Sequence, residues 1–355
     1  MSDLDKLGDW FEAYAKVMEL NIWTSTNIID QPTFDPKTHT WTVKVKRSDG
    51  TLRILHPRHV ILASGHSGEP HIPSFPGMDS FKGDINHSSK HPEGSRYRGK
   101  RAVVVGCCNS AHDIAQDLYE QGATSVTMVQ RSSTYVMSQS RGLYHLFKGL
   151  YEENGPSTED ADLYFCSIPY PVQKIVQQHL TWKIAQDDKE MLLGLRKAGF
   201  KLDYGYHAAG FLMKYLLRGG GYYMDVGCAK LISEGKIKVK QGKEIVEIVE
   251  DGLIFEDGSK LEADLIVLAT GYDNMRETAR KIFGDQLADQ VSDVWGMNEG
   301  ELATIWQSMT FVVTALLNVE SGHEGFWFMG GNLALARVYS RFLALQIKAV
   351  ELGLA

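Results

Sequence analysis

The sequence predicts an α/β fold built around a parallel sheet, and three stretches carry that expectation. Ala102-Val103-Val104-Val105 is a short apolar run, Gly106 to Ser110 a tight turn, Ala111 to Tyr119 a helical pattern, and Ser125-Val126-Thr127-Met128-Val129 a second apolar run. Continuous apolar runs fit strands covered on both faces, and strand–helix–strand order fits a parallel crossover. Leu62-Ala63-Ser64-Gly65 and Leu268-Ala269-Thr270-Gly271-Tyr272 are two more runs that end in small residues, as strands do where a backbone or ligand approaches closely.

The chain has 355 residues, 43% of them hydrophobic, which is about two domains' worth of chain with ample core. A net charge of −7 argues against a nucleic-acid binder held by phosphate contacts. The four cysteines, Cys107, Cys108, Cys166 and Cys228, have neither disulfide-framework nor zinc spacing, so reduced thiols and no metal are expected. The acidic start Met1-Ser-Asp-Leu-Asp-Lys lacks an apolar core, and no run approaches the ~18 apolar residues of a membrane span. A cytoplasmic protein is the expectation.

The elements follow in order. Leu7, Trp10, Phe11, Tyr14, Val17 and Met18 recur at helical spacing. Trp41, Val43 and Val45 alternate as a half-buried strand, Ser48-Asp49-Gly50 makes a turn, and Thr51 to Leu55 returns as the hairpin partner. Val60 to Ala63 is a buried strand, and Gly65, Gly68, Pro70, Pro73, Pro76 and Gly77 read as an ordered crossing between domains. The strand–turn–helix–strand unit from 102 to 129 comes next. Residues from about 140 to 225 read as an insertion, with helical patterns at Val172–Leu195 and Phe211–Leu217. Ile237–Val239, Glu244–Val249 and Leu253–Phe255 suggest a small meander, and Leu265 to Ala269 another buried strand. Phe326 to Met329 is a last strand, followed by the Gly330-Gly331 turn and a helix from Asn332 to about Leu352.

The turn Gly106-Cys107-Cys108-Asn109-Ser110-Ala111 has the place and length of a dinucleotide fingerprint, in which backbone N–H groups at a helix N-terminus face a pyrophosphate. It keeps one glycine of three: Ala111 is an accepted third residue, while Cys108 narrows the second place. An ordinary βα turn has the same form. Arg131, just past the second strand and with no acid beside it, favours the dinucleotide reading and NADPH over NADH, because a cation suits a 2′-phosphate. Gly106, Asn109, Ser110 and Arg131 are therefore the candidate cofactor residues. His66, His71, His87 and His91 cluster with Asp84 across the crossing, and His87, His66 and His91 are candidate acid–base groups. No nucleophile elbow or paired-carboxylate constellation competes. Cys107 and Cys108 are read as packing residues.

Four phrases then carry a family resemblance. Phe81-Lys82-Gly83-Asp84-Ile85-Asn86-His87 resembles the F-x-G-x-x-x-H motif of flavin-containing monooxygenases, with His91 standing where an aromatic usually closes it. The Gly106–Ile114 turn resembles that family's NADPH turn, including its cysteine variant. Ala269-Thr270-Gly271-Tyr272 resembles its later A-T-G-Y phrase, and Gly330-Gly331-Asn332-Leu333-Ala334-Leu335-Ala336-Arg337 the closing flavin-side helix of its fungal branch. The resemblance spans essentially the whole chain.

It implies two Rossmann-like dinucleotide-binding domains, with Gly65 and Gly271 at the crossings and Gly330, Gly331 and Asn332 facing a flavin. It also implies a leading strand–G-x-G-x-x-G–helix unit for FAD, which this chain is expected to lack. The first, FAD-type domain (1–97 and 265–355) is thus expected to be incomplete, with exposed apolar edges at Val60–Ala63 and Leu265–Ala269. The second (98–264) is expected to be NADPH-type. The expected function is that of a flavin-containing-monooxygenase-like protein of small-molecule (secondary) metabolism, oxygenating a soft nucleophile or ketone with NADPH and FAD. Without its FAD unit the chain has two alternatives. One is a redox-neutral isomerase, cyclase, dehydratase or lyase using the old substrate cleft. The other is a non-catalytic partner of a full-length relative, or a homo-oligomer.

Overall fold

A computed structural model describes residues 3–291, 293–294, 297–298, 301–302 and 322–354. Helix α1 (Asp3–Val17) leads into an antiparallel sheet of β1 (Asn27–Ile28), β2 (Thr33–Asp35), β3 (Thr40–Lys46) and β4 (Leu52–Leu55), with β3 at its centre. Trp41, Val43 and Val45 alternate inward from β3, and the Asp49 carboxylate accepts the Thr51 N–H at 2.8 Å to tighten the hairpin turn, as the sequence pattern implies. The α1 helix forms where its period indicates. Its apolar stripe of Leu7, Trp10, Phe11, Tyr14 and Val17 nevertheless stays exposed, because periodicity announces a helix and not what covers it.

Strand β5 (Val60–Leu62) precedes the crossing, and β6 (Asp84–His87), β7 (Arg101–Val105), α2 (Asn109–Glu120) and β8 (Ser125–Gln130) follow it. An inserted region begins at β9 (Thr134–Ser138). It holds α3 (Gln139–Phe147), α4 (Thr158–Ser167), α5 (Tyr170–Asp187), α6 (Lys189–Lys197), β10 (Leu202–Asp203), α7 (Gly210–Arg218) and β11 (Tyr222–Asp225). Strands β10 and β11 pair in parallel with β9 on either side. The buried Asp188 carboxylate anchors this region by accepting the Ser138 N–H at 2.7 Å and hydroxyl at 2.6 Å.

Then come α8 (Cys228–Ser233), β12 (Ile237–Gln241), β13 (Ile245–Val249), β14 (Gly252–Phe255), β15 (Lys260–Glu262) and β16 (Leu265–Leu268). The chain closes with α9 (Met275–Phe283), α10 (Asp285–Ala288), β17 (Met297–Asn298), β18 (Glu301–Leu302), β19 (Phe326–Phe328) and α11 (Leu333–Glu351). Among the described residues no helix is long and apolar enough to cross a membrane.

The central sheet is parallel throughout, in the order β12-β8-β7-β16-β6. Ala111, Ala115 and Leu118 of α2 cover one face with Leu195 and Ile232. Ile248, Leu253 and Phe255 of the β13–β15 meander cover the other, against Val103, Val129 and Ile266. Apolar burial at roughly 25 cal/mol per Å² makes this two-sided covering the main stabilising term.

Two expectations change here. Ile237–Val239 is not in the meander but pairs with β8 as an edge strand, and Lys260–Glu262 supplies the third meander strand. An edge strand is half solvated, so its alternation imitates an antiparallel one. Leu265–Ala269 is no exposed edge either: β16 lies between β7 and β6 in the central sheet, paired in parallel on both sides. The partner strands lie far away in sequence, where local pattern is silent. Val60–Ala63 differs. Among the described residues β5 pairs only with β19, in parallel, and Ile61 is 44% exposed.

Candidate functional site

The site grows from the end of β7. Gly106 has φ +135, and a Cβ there would lie 2.2 Å from the Ala269 carbonyl oxygen, so only glycine lets this turn press against the end of β16. The Gly106 N–H donates to the Val129 carbonyl at 3.0 Å, tying the turn to β8 as well. Cys108 sits at the cap of α2 and makes no side-chain cap bond. The first N–H groups of α2 therefore keep their positive potential with no capping side chain to satisfy them.

These groups line a cleft of about 760 Å³, a volume that suits a dinucleotide. Gly106, Ser110, Arg131, Ser132, Ser133, Gly271 and His66 all line it. Arg131 is exposed at the end of β8 and has no carboxylate partner among the described residues. An uncapped helix N-terminus, a hydroxyl and an unpaired guanidinium with two serines form the donor set that a phosphorylated dinucleotide requires, and NADPH fits it. Asn109 has a further job: its Oδ1 accepts the Met224 N–H at 3.0 Å and stitches α2 to β11, while the residue lines the cleft.

The histidines separate. His66 lines the cleft and stacks on Tyr215 at 6.2 Å between centroids; burial holds its pKa below the usual histidine value. His87 corrects the acid–base assignment. Its Nδ1 accepts the Ser89 N–H at 3.1 Å, its Nε2 donates to the Gly271 carbonyl at 3.0 Å, and it is 4% exposed. It is a tie between β6 and the second crossing, with no lone pair for a substrate. His91 is also withdrawn, because the Ser88–Lys90 turn carries it onto Tyr97 (6.0 Å) beside Asp117, outside the cleft lining. His71 bridges the two crossings through Asp273 Oδ1 at 2.9 Å, and the Gly68 N–H donates to the Asp273 carbonyl at 3.0 Å.

Gly330, Gly331 and Asn332 follow the end of β19, away from the cleft lining. Asn332 Oδ1 accepts the Leu335 N–H at 3.0 Å as the cap of α11. A Cβ on Gly331 (φ +96) would meet the Leu335 side chain at 2.8 Å. Both residues thus answer first to the helix, and no cradle shaped for a flavin is identified by them. The Asn332 backbone N–H lies against the Tyr215 hydroxyl, so Tyr215 joins this helix start to His66 and the cleft. Both adjacent thiols are kept protonated by burial, consistent with packing roles. The reading from sequence overlooked the segment Lys214–Tyr222 that forms the opposite wall; its signal was the run Gly219-Gly220-Gly221 after a helix.

The parallel sheet with its glycine turn and the cation at the next strand end define a Rossmann-like α/β fold. A family model described as flavin-binding monooxygenase-like matches residues 2–146. The chain is 30% identical over 244 residues to indole-3-pyruvate monooxygenase YUCCA1 of Oryza sativa subsp. japonica, covering 69% of this chain and 53% of that protein. It is 29% identical over 268 residues to the probable indole-3-pyruvate monooxygenase YUCCA3 of Arabidopsis thaliana, covering 74% of this chain and 55% of that one. An oxidized steroid monooxygenase bound to NADP shares the fold with a TM-score of 0.61 at 17% identity, over 99% of this chain and 72% of that one. The chain spans about half the length of the curated relatives it matches. Over these stretches the chain is similar to flavin-containing monooxygenases.

Proposed function

We propose that this chain serves NADPH- and flavin-dependent oxygenation of a small molecule, a soft nucleophile or ketone, within secondary metabolism in the cytoplasm. The observation that carries the reading is Arg131 with Ser132 and Ser133 at the end of β8, facing the same cleft as the uncapped start of α2. Arg131 and the serines would hold the 2′-phosphate, while Ser110 and the backbone from Gly106 to Asn109 would hold the pyrophosphate. Gly65 (φ +93) and Gly271 (φ +87) supply the left-handed backbone of the two crossings, Gly271 lining the cleft. Gly330, Gly331 and Asn332 would meet the flavin through backbone groups. When bound, a flavin reduced by the nicotinamide supplies the oxygenating chemistry. His66 would present its imidazole at the cleft wall, where burial disfavours its charged form.

Arg131→Ala is expected to weaken NADP⁺ binding about 10- to 100-fold, the value of a charge-assisted pair, while leaving NAD⁺ unchanged. Titration by intrinsic fluorescence reads both ligands. Equal losses would sink the 2′-phosphate assignment, and an unmodified chain that binds neither ligand would sink the functional reading.

A further inference from the structure

We propose that Arg218, carried by the inserted region rather than by the parallel-sheet unit, is the second phosphate-binding cation of the cleft. It holds the pyrophosphate common to NADPH and NADH, whereas Arg131 reads the 2′-phosphate. The proposal rests on the dinucleotide reading above and assigns a role to a wall of the cleft that reading leaves idle.

Helix α7 ends at Gly219 (φ +64), whose N–H donates to the Tyr215 carbonyl at 2.8 Å. From there the backbone runs along the cleft as a strap, Gly219, Gly220, Gly221 and Tyr222 lining it together with Cys108 and Ser110 of the phosphate turn. Arg218 lines the same cleft as Gly106 and as Ser110 at the start of α2. Two cations stand on this wall, and their surroundings separate them. Lys214 is 8% exposed and fully engaged, donating to Asp203 Oδ2 at 2.7 Å and to the Gly221 carbonyl at 2.9 Å. Its charge is neutralised in pinning the strap. Arg218 is exposed to the cleft and, among the described residues, pairs with no carboxylate.

The strap itself is bare. A Cβ on Gly220 would meet no atom within 4 Å, and one on Gly221 would reach only the Lys214 stem at 3.4 Å. Backbone without side chains lets a phosphate approach, and a planar guanidinium can grip it with two parallel N–H bonds. A C-terminal arginine interacting only with its own helix dipole touches no ligand. That role predicts no change in binding.

The test is calorimetric or fluorescence titration of the whole chain with NADP⁺ and with NAD⁺. Arg218→Ala is expected to weaken both by the same factor, about 10-fold or more, leaving their ratio unchanged. Gly220→Leu, whose Cβ would meet no atom within 4 Å on the open side of the strap, is expected to weaken both as well. Arg131→Ala should instead move the ratio. Unchanged affinities in Arg218→Ala, or a loss confined to NADP⁺, would overturn the assignment while leaving the dinucleotide reading intact. If the unmodified chain binds neither ligand, the reading beneath it fails and this assignment fails with it.

Discussion

Gly106→Val is expected to abolish dinucleotide binding and to destabilise the chain by at least about 3 kcal/mol. Two independent effects add at this position. The backbone adopts φ +135, which L side chains rarely do, and the new Cβ would drive into the Ala269 carbonyl at 2.2 Å. That oxygen belongs to the backbone leaving β16, so relief requires separating β7 from β16 in the middle of the sheet. Gly258→Ala is the matched control: its φ is +75 but nothing lies within 4 Å, so strain acts alone and a loss of about 1 kcal/mol is expected. Urea midpoints of the two variants, with NADP⁺ titrations of each, make the comparison. A Gly106→Val chain within about 1 kcal/mol of the parent would show that the turn is not locked as described.

Acid should weaken the same unit through His112. This side chain is 0% exposed, stacked on Tyr223 with centroids 3.6 Å apart, and packed 5.5 Å from Phe200. Its Nδ1–H donates to the Cys108 carbonyl at 3.0 Å, and its Nε2 finds no partner. Burial pushes its pKa down to about 4, against smaller opposing effects of the Cys108 carbonyl and Asp225. An unfolded chain takes up this proton near pH 6.5, and the folded chain holds out until about pH 4. Between those values the unfolded state binds more protons, so stability falls as pH drops through the window, by about 3 kcal/mol in all. Above pH 6.5 the group has no effect. His112→Phe keeps the stack, and the Cys108 carbonyl retains its bond from the residue 112 N–H at 3.1 Å. Denaturant unfolding from pH 7.5 to 4.5 should show a shallower acid slope in the variant. Equal slopes would assign the acid loss to other groups.

The candidate site was legible in part. Gly106, Ser110 and Arg131 lie within one strand–turn–helix–strand unit, whose geometry follows from adjacent residues, so their common cleft could be read from spacing. His87 was read as chemistry because a histidine in a conspicuous motif has two free nitrogens on paper. In the fold, Ser89 and Gly271 take both. Asn109 lines the cleft as its place in the turn implies, and the bond from the Met224 N–H to its Oδ1 joins partners far apart along the chain. Arg218 and Lys214 are both basic residues of one helix, and nothing in their local sequence says which keeps its charge. Asp203 decides that by pairing with Lys214.

By itself the sequence determined the βαβ unit, the helical insertion, the hairpin at Asp49 and the capped final helix. Each depends on periodicity and turn chemistry among near neighbours. The tertiary structure decided that Leu265–Leu268 lies inside the sheet, that Ile237–Gln241 forms its edge, and which polar groups remain free to meet a ligand. Strand pairing and hydrogen-bond satisfaction are settled between residues distant along the chain. No local pattern records them.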